Sequence, residues 1–283
     1  AAMDQMARGF VLGATAGRTT LNGEGLQHED GHSHVLAATN PAVVAYDPAY
    51  GYEIGHIVKD GLRRMYGDDP ENVFYYLTMY NEPYVQPAEP EGVDPDGIVR
   101  GMHPLAPADP AAEGPRAQLL ASGVAVPWAL EAQRLLREEW GVHADVWSVT
   151  SWAELRRDGL ESDKANLLDP TGEQRTPYVT QRLAGRPGPV VGVSDYVREL
   201  QDMIRAWVPA DYATLGTDGW GMSDTRGALR RHFLVDAQSI TVRTLASLAE
   251  RGEVGRDRVA EAIERYRLTD PAAAEAGITE GGG

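Results

Sequence analysis

The most informative segment of the sequence is residues 22–34, NGEGLQHEDGHSH, which holds three histidines and three acidic residues within thirteen positions. Imidazole and carboxylate groups can transfer protons, bind metal ions or hold a loop together through hydrogen bonds. The residue types alone therefore leave acid–base catalysis, metal binding and structural support open.

His28 and His32, with Glu29 between them, have the spacing of the zinc metalloprotease motif, in which two histidines bind the ion and the glutamate activates water. This motif works only on a helix. Gly31 lies inside the pattern, and more glycines precede it, so helical structure is disfavoured. A zinc-dependent hydrolase is therefore the weaker of the catalytic hypotheses.

The position of the segment favours a functional role over a purely structural one. A short apolar run at residues 8–16 predicts a strand directly before it. Open α/β sheets place their ligand-binding groups in the loops that follow the carboxyl ends of strands. We therefore expect His28 and its neighbours to take part in chemistry.

The rest of the chain alternates between strand and helix patterns, which predicts an α/β fold with two consecutive open, mostly parallel sheets. Further strands are predicted at 41–46, 73–80, 118–121, 144–150, 190–193 and 213–215. Helices are predicted at 47–67, 127–140, 194–207, 224–233, 236–251 and 256–266.

Proline content predicts the domain boundary. Residues 82–115 hold 8 of the 18 prolines and show no sustained apolar periodicity. Such a composition is typical of a linker. We predict one unit at 1–89, a Pro-rich linker at 90–116, a second unit at 117–278 and a disordered tail at 279–283.

Composition excludes several classes of function. The net charge of −16 disfavours nucleic acid as a partner. No apolar stretch is long enough to span a bilayer, and the absence of cysteine fits a cytoplasmic protein. The adjacent pairs Arg63-Arg64 and Arg230-Arg231 are predicted to lie on solvated helix faces, with no binding role.

The run at residues 17–34 resembles closely a segment of the homodimeric pyruvate dehydrogenase decarboxylase component family, within the transketolase-like superfamily. The resemblance continues in family order through YDPAYGYE (46–53), DGLRRMYG (60–67), NEPYVQPAEPEG (81–92), VWSVTSWAELRRDG (146–159) and GTDGWGMSDTRGALRRHF (216–233). It implies that 1–89 is the second half of a pyrimidine-binding domain and that 117–278 is a transketolase C-terminal-like domain. The chain would then be the C-terminal portion of a longer subunit.

The resemblance implies oxidative decarboxylation of pyruvate with reductive acetylation of lipoyl groups, the step between glycolysis and acetyl-CoA. Its cofactors would be thiamine diphosphate and Mg²⁺. The family's diphosphate motif, GDG followed by paired asparagines, is missing here, so upstream domains would bind both. The implied partners are a second copy of the subunit, the missing N-terminal portion and the dihydrolipoyl acetyltransferase component. The chain alone would be inactive.

The resemblance also ranks the site residues. His28 matches the family histidine that faces the substrate and the thiazolium ring, and it is the first candidate. Glu24 matches a glutamate of the polar network near the same centre, while Asp30 and His34 match positions that transketolases use beside their substrates. The rival hypotheses are the zinc hydrolase and a non-catalytic assembly domain.

Overall fold

The computed structural model describes residues 2–21 and 26–274, and within them the chain forms eight strands and ten α-helices. The strands are β1 Gly9–Ala14, β2 Val43–Tyr46, β3 Phe74–Met79, β4 His103–Ala106, β5 Arg116–Ala121, β6 His143–Ser148, β7 Val190–Val193 and β8 Tyr212–Leu215. The helices are α1 Ser33–Ala37, α2 Gly51–Tyr66, α3 Pro95–Arg100, α4 Ala125–Trp140, α5 Trp152–Leu168, α6 Tyr178–Leu183, α7 Glu199–Asp202, α8 Arg226–His232, α9 Ala237–Glu250 and α10 Arg256–Arg265. None of the helices in these residues is long and apolar enough to cross a membrane.

The first unit is a parallel three-stranded sheet in the order β1-β3-β2. Along the central strand β3, the buried side chains of Tyr75 and Leu77 alternate with partly buried ones at residues 74 and 76, because successive side chains of a strand point to opposite faces. The amphipathic helix α2 covers the buried face with Ile57 and Met65, which pack in one buried cluster with Tyr75 and Leu77. The core forms because apolar residues recur about every 3.6 residues along the helix and every 2 residues along the strand, which brings them onto facing surfaces.

The second unit is a five-stranded sheet in the order β4-β6-β5-β7-β8, parallel except for the edge strand β4. Neighbouring residues on its strands point to opposite faces, so Leu119 joins the core beneath α4 and α9 while Leu120 joins the core beneath α5 and α6. Both sheet faces are covered, and the predicted α/β class is confirmed.

Asp47 joins the two units at a buried position just after β2. Its carboxylate accepts hydrogen bonds from the hydroxyls of Thr78 at 2.7 Å and Tyr80 at 2.5 Å within the first unit. It also accepts one from Ser122 Oγ at 2.7 Å, directly after β5 of the second unit. A buried carboxylate with this many donors fixes the orientation of the strand ends that contribute them.

Glu53 makes a second buried connection between the units. One carboxylate oxygen accepts from the backbone N–H groups of Ala49 at 2.7 Å and Tyr50 at 3.0 Å, which caps α2. The other accepts from Ser148 Oγ at 2.6 Å and lies 2.8 Å from His103 Nε2, both in the second sheet. The side chain that caps the start of α2 therefore also holds α2 against the neighbouring unit.

The linker predicted at 90–116 is not structureless. It contains α3 and β4, and β4 pairs antiparallel with β6, so residues 103–106 belong to the second sheet. Pro104 is tolerated because β4 is an edge strand, where one side needs no ladder hydrogen bonds. The segment predicted as a Pro-rich linker therefore includes regular structure at residues 95–100 and 103–106. The tail predicted at 279–283 lies outside the described residues.

The helix predicted at 194–207 is wrong. Only the short helix α7 and a 3-10 turn, Arg205–Trp207, form there. The backbone N–H of Val197 donates to the Gly31 carbonyl at 3.1 Å, and that of Arg198 donates to the Asp218 carboxylate at 2.8 Å. These tertiary hydrogen bonds replace the ones a helix would have made.

Candidate functional site

The histidine-rich loop follows β1, where the sequence places it. Its first described turn is the 3-10 helix Leu26–His28, so His28 lies at the end of a short turn, and its side chain is exposed. The candidate Glu24 lies outside the described residues. Of the three predicted site residues that the structure describes, His28 is the exposed one, whereas Asp30 is partly buried and His34 is buried.

Asp30 organises the loop locally. Its carboxylate accepts hydrogen bonds from the backbone N–H groups of His32 at 3.1 Å and Ser33 at 3.0 Å, and from the Ser33 hydroxyl. These are contacts of the kind that cap a helix start, and α1 begins at Ser33. Asp30 therefore serves the entry into α1.

His34 lies in the core and does not face a cleft. It is 2% exposed, its Nε2 is 2.9 Å from the Thr78 hydroxyl, and its ring packs edge-on against Tyr196 with 4.9 Å between centroids. Burial is the main cause that lowers the pKa of His34, so the ring is held neutral. In this position the ring anchors α1, the helix to which His34 belongs, to the core.

Arg18 ties the loop to the second unit. It is buried, and its guanidinium donates to the carbonyls of Thr217, at 2.6 Å, and Gly219. Its Nη2 lies 3.2 Å from His32 Nε2. A Cβ at Gly31 would collide with this guanidinium, which explains the glycine at that position. One side chain therefore fixes both the loop and the turn after β8.

The base of the loop is held by Asp195, which is fully buried after β7. Its carboxylate accepts from the Thr19 N–H at 3.0 Å, and its carbonyl accepts from the Arg18 N–H at 3.2 Å. Gly17 has a φ of +80°, and a Cβ there would meet the Asp195 carboxylate. Burial raises the pKa of Asp195 to about 7, against the opposing effect of the Thr19 hydrogen bond.

Helix α8 clamps the same loop base, contrary to the solvated face predicted for Arg230-Arg231. Both of these arginines are buried. Arg230 pairs with the buried Glu82 and donates to Thr19 Oγ1 at 3.3 Å. Arg226, one turn earlier, donates to the Thr20 carbonyl at 2.9 Å. The motif at 216–233 therefore works as a structural support for the loop.

A cleft of about 750 Å³ lies between the loop and the turn after β8. Arg18, Glu29 and His32 line one side, and Asp218 and the 85% exposed Trp220 line the other. Burial raises the pKa of Glu29, while a hydrogen bond with the Met222 backbone and the charge of Arg18 act in the opposite direction. The cleft thus offers carboxylate, imidazole and guanidinium groups to a polar ligand.

The geometry does not favour the zinc-hydrolase hypothesis. The 3-10 turn ends at His28 and α1 begins only at Ser33, so His28 and His32 do not share a helical face. The guanidinium of Arg18 beside His32 repels a cation. Within residues 2–21 and 26–274, no three His, Cys, Asp or Glu side chains come together in a way that could hold a metal ion.

Comparison with solved structures shows that the fold is similar to that of transketolases. It aligns with transketolase structures from Pichia stipitis, with a TM-score of 0.61 at 17% identity over 88% of this chain and 31% of that chain. The transketolase of Campylobacter jejuni aligns with a TM-score of 0.60 at 17% identity over 84% of this chain and 31% of that one. At this identity the likeness shows the fold alone, which is transketolase-like.

Sequence comparison narrows the class to a family. Residues 1–87 match the "Pyruvate dehydrogenase E1 component middle domain" model, and residues 101–236 match the "Transketolase-like TK C-terminal domain" model. The chain is 58% identical to the pyruvate dehydrogenase E1 component of Mycolicibacterium smegmatis, over 97% of this chain and 29% of that protein. For the Mycobacterium tuberculosis protein the identity is 57%, over 100% of this chain and 30% of the relative.

Over nearly its whole length, the chain is therefore similar to one part of the pyruvate dehydrogenase E1 component family, and its second unit is similar to the transketolase-like C-terminal domain. The Escherichia coli K12 member is 48% identical over 95% of this chain and 30% of its own length. The chain thus spans about 30% of the length of the curated relatives it matches.

Proposed function

We propose that this chain acts as part of a pyruvate dehydrogenase E1 subunit that decarboxylates pyruvate oxidatively and transfers the acetyl group to lipoyl groups. The observation that carries the proposal is the 57% identity to an E1 component across 100% of the chain. The proposed site is the loop at residues 26–34, because it combines titratable groups with support from both units.

Thiamine diphosphate with Mg²⁺ is the proposed cofactor, and it supplies the nucleophilic carbon and electron sink that decarboxylation needs. The described residues do not fit its diphosphate and metal site, because none of them form a group of ligands for a metal ion. The proposal therefore assigns that site to sequence outside this chain, and the residues described here to positioning and proton transfer.

His28 is the proposed proton-transfer group. Among the loop histidines, His34 is buried in the core and His32 lies beside a guanidinium, whereas His28 is exposed at the end of its turn. An imidazole can give or take a proton near neutral pH, as the acetylation of a lipoyl sulfur requires.

The other three candidates take supporting roles in this proposal. Asp30 shapes the entry to α1, and His34 anchors that helix by packing against Tyr196, so both are proposed to act through the position of the loop. Glu24 is proposed to belong to the polar network beside His28, on the resemblance alone.

The proposed partners are the remainder of the subunit, a second copy that completes a homodimer, and the dihydrolipoyl acetyltransferase component. The proposed location is the cytoplasm. A buried network that joins the two units here suits a subunit whose active site is built from several domains.

The test is turnover by the complete subunit that carries this sequence. With pyruvate, thiamine diphosphate, Mg²⁺ and an isolated lipoyl domain, we expect carbon dioxide release and an acetylated lipoyl group, detected by mass spectrometry. The 283-residue chain alone should be inactive under the same conditions. Turnover by that chain, or a preference of the complete subunit for 2-oxoglutarate over pyruvate, would contradict the proposal.

A further inference from the structure

A second cavity, of about 550 Å³, lies where the two units meet. Its walls come from the first turn of α2, the segment at residues 82–90, β4 and the first half of α4, with Arg230 contributed by α8. It shares no lining residue with the cleft beside the histidine-rich loop. The proposed pyruvate chemistry therefore does not account for this cavity.

The walls include four aromatic side chains that are held in place by their neighbours. Tyr50 stacks on Tyr52 with 5.8 Å between ring centroids and meets Tyr84 edge-on at 6.3 Å. The Tyr84 hydroxyl donates to the Ala49 carbonyl, and the guanidinium of Arg230 lies 4.6 Å from the Trp128 ring centroid. These contacts preform the cavity, as in small-molecule sites, which are mostly apolar with a few fixed polar groups.

Two polar atoms of the lining are buried without a hydrogen-bond partner among the described residues. They are the hydroxyl of Tyr52 and Oε1 of Glu82. The Glu82 side chain is 1% exposed, and its other oxygen is bound by Arg230. A buried polar atom without a partner is costly, and such atoms in native structures usually have a protein, water or ligand partner.

The chemistry of these atoms defines the ligand. Glu82 Oε1 can only accept a hydrogen bond while the carboxylate is ionised, and burial raises the pKa of Tyr52, so its phenol stays protonated. The lining cations are already paired, Arg230 with Glu82 and Arg134 with Glu131 at 2.6 Å. Among the described residues that line it, the site therefore has spare acceptor capacity and no unpaired cation for an anionic ligand.

We infer that this cavity is a binding site for a small molecule with an aromatic or branched apolar body and a hydrogen-bond donor, an ammonium or hydroxyl group, that reaches Glu82 Oε1 and the Tyr52 hydroxyl. The volume of about 550 Å³ is within the usual range for such sites.

The test measures the binding of two probes to the complete subunit by isothermal titration calorimetry. Both probes carry a phenyl ring and a two-carbon chain and differ in the charged group. We expect 2-phenylethylamine to bind saturably and 3-phenylpropionate to bind at least tenfold more weakly. Binding of neither probe at millimolar concentration, or equal binding of both, would overturn the inference.

Two variants locate the bound amine. Tyr52→Phe removes only a hydroxyl without a partner, so folding is retained, and affinity for the amine should fall about fivefold to tenfold. Ala106→Phe fills the cavity and should abolish binding. Glu82 is left intact because it holds Arg230, which supports the loop base through Thr19.

The matched control is Tyr66→Phe, at an exposed tyrosine of α2 outside the cavity, where the affinity should not change. An unchanged affinity in Tyr52→Phe, or an equal loss in Tyr66→Phe, would place the amine elsewhere and overturn the inference. Because binding is measured directly, this result is independent of whether the subunit turns over pyruvate.

Discussion

The junction between the two units and the loop at residues 26–34 use the same side-chain types in different surroundings. At the junction, Asp47 and Glu53 are buried, and each carboxylate accepts hydrogen bonds from both units. On the loop, His28 and His32 are exposed, and Asp30 accepts hydrogen bonds from its own turn, at His32 and Ser33. A carboxylate that is buried and surrounded by donors fixes structure, whereas an exposed imidazole on a supported loop remains accessible to a substrate.

Buried arginine side chains connect the loop to the junction between the two units. Arg18 and Arg230 are buried at the loop base and reach across to the second unit and to Glu82. The comparison therefore predicts large stability effects at the junction, smaller ones at the loop base and little effect on stability at the loop surface.

Glu53→Ala should have the largest effect. It leaves His103 and Ser148 without their buried partner and should lower the free energy of unfolding by about 3–5 kcal/mol, measured by urea denaturation. The control is Glu138→Ala, which removes an exposed ion pair with Arg134 and should leave the unfolding curve unchanged. A Glu53→Ala midpoint equal to that of the control would contradict the structural role of the junction.

Arg18→Ala should have the next largest effect on stability. It removes charge-assisted hydrogen bonds to Thr217 and Gly219 and should lower the free energy of unfolding by about 2–3 kcal/mol. Hydrogen exchange should become faster for the amides of residues 31–33. Arg18→Lys keeps the charge but not the guanidinium that reaches both carbonyls. Exchange at these amides should therefore be slower than in Arg18→Ala and faster than in the parent. Unchanged exchange in Arg18→Ala would show that the loop does not depend on this clamp.

Asp195→Asn should change the pH dependence of stability. The folded pKa of about 7 lies above the ordinary value, so the parent keeps its full stability contribution at low pH and loses it as pH rises through 7. Relative to the parent, the variant should gain about 2 kcal/mol between pH 5 and pH 7.5. Urea unfolding at both pH values measures this difference, and parallel profiles would contradict the assignment.

Asp30→Ala should have the smallest effect, a loss of about 1 kcal/mol, because it removes cap-type hydrogen bonds at the start of α1. Asp30→Ser keeps an acceptor at this position and should recover most of the stability. If Asp30 acts by positioning, kcat should recover together with stability in the serine variant. Full stability with lost activity would instead show a direct catalytic role.

Much of the architecture could be predicted because local patterns agree with it. The run at 190–193 is a buried strand as its β-branched residues indicate, and the apolar spacing of α2 and α4 marks their packed faces. β4 could not be predicted, because its pairing with β6 is made about 40 residues away in sequence and its composition resembles a linker. The prediction of a helix at 194–207 failed because the backbone N–H groups of Val197 and Arg198 donate hydrogen bonds to residues that are distant in sequence.

The site was only partly predictable for the same reason. The position after β1 and the mixture of groups make the loop the candidate site, but nothing local showed that His34 would be buried. The clamping arginines were missed because a pair of adjacent arginines in a helical pattern is typical of a solvated face. Their burial depends on Glu82 and the loop base, which are distant in sequence.

The proposed proton transfer by His28 is tested directly by His28→Ala in the complete subunit, with His232→Ala, at an exposed histidine of α8, as the matched control. Because His28 is exposed, its removal should leave the free energy of unfolding unchanged, while kcat for acetylation of a lipoyl domain should fall about 100-fold or more. His232→Ala should match the parent in both. Full activity in His28→Ala would contradict the account and favour an assembly role for this part of the subunit.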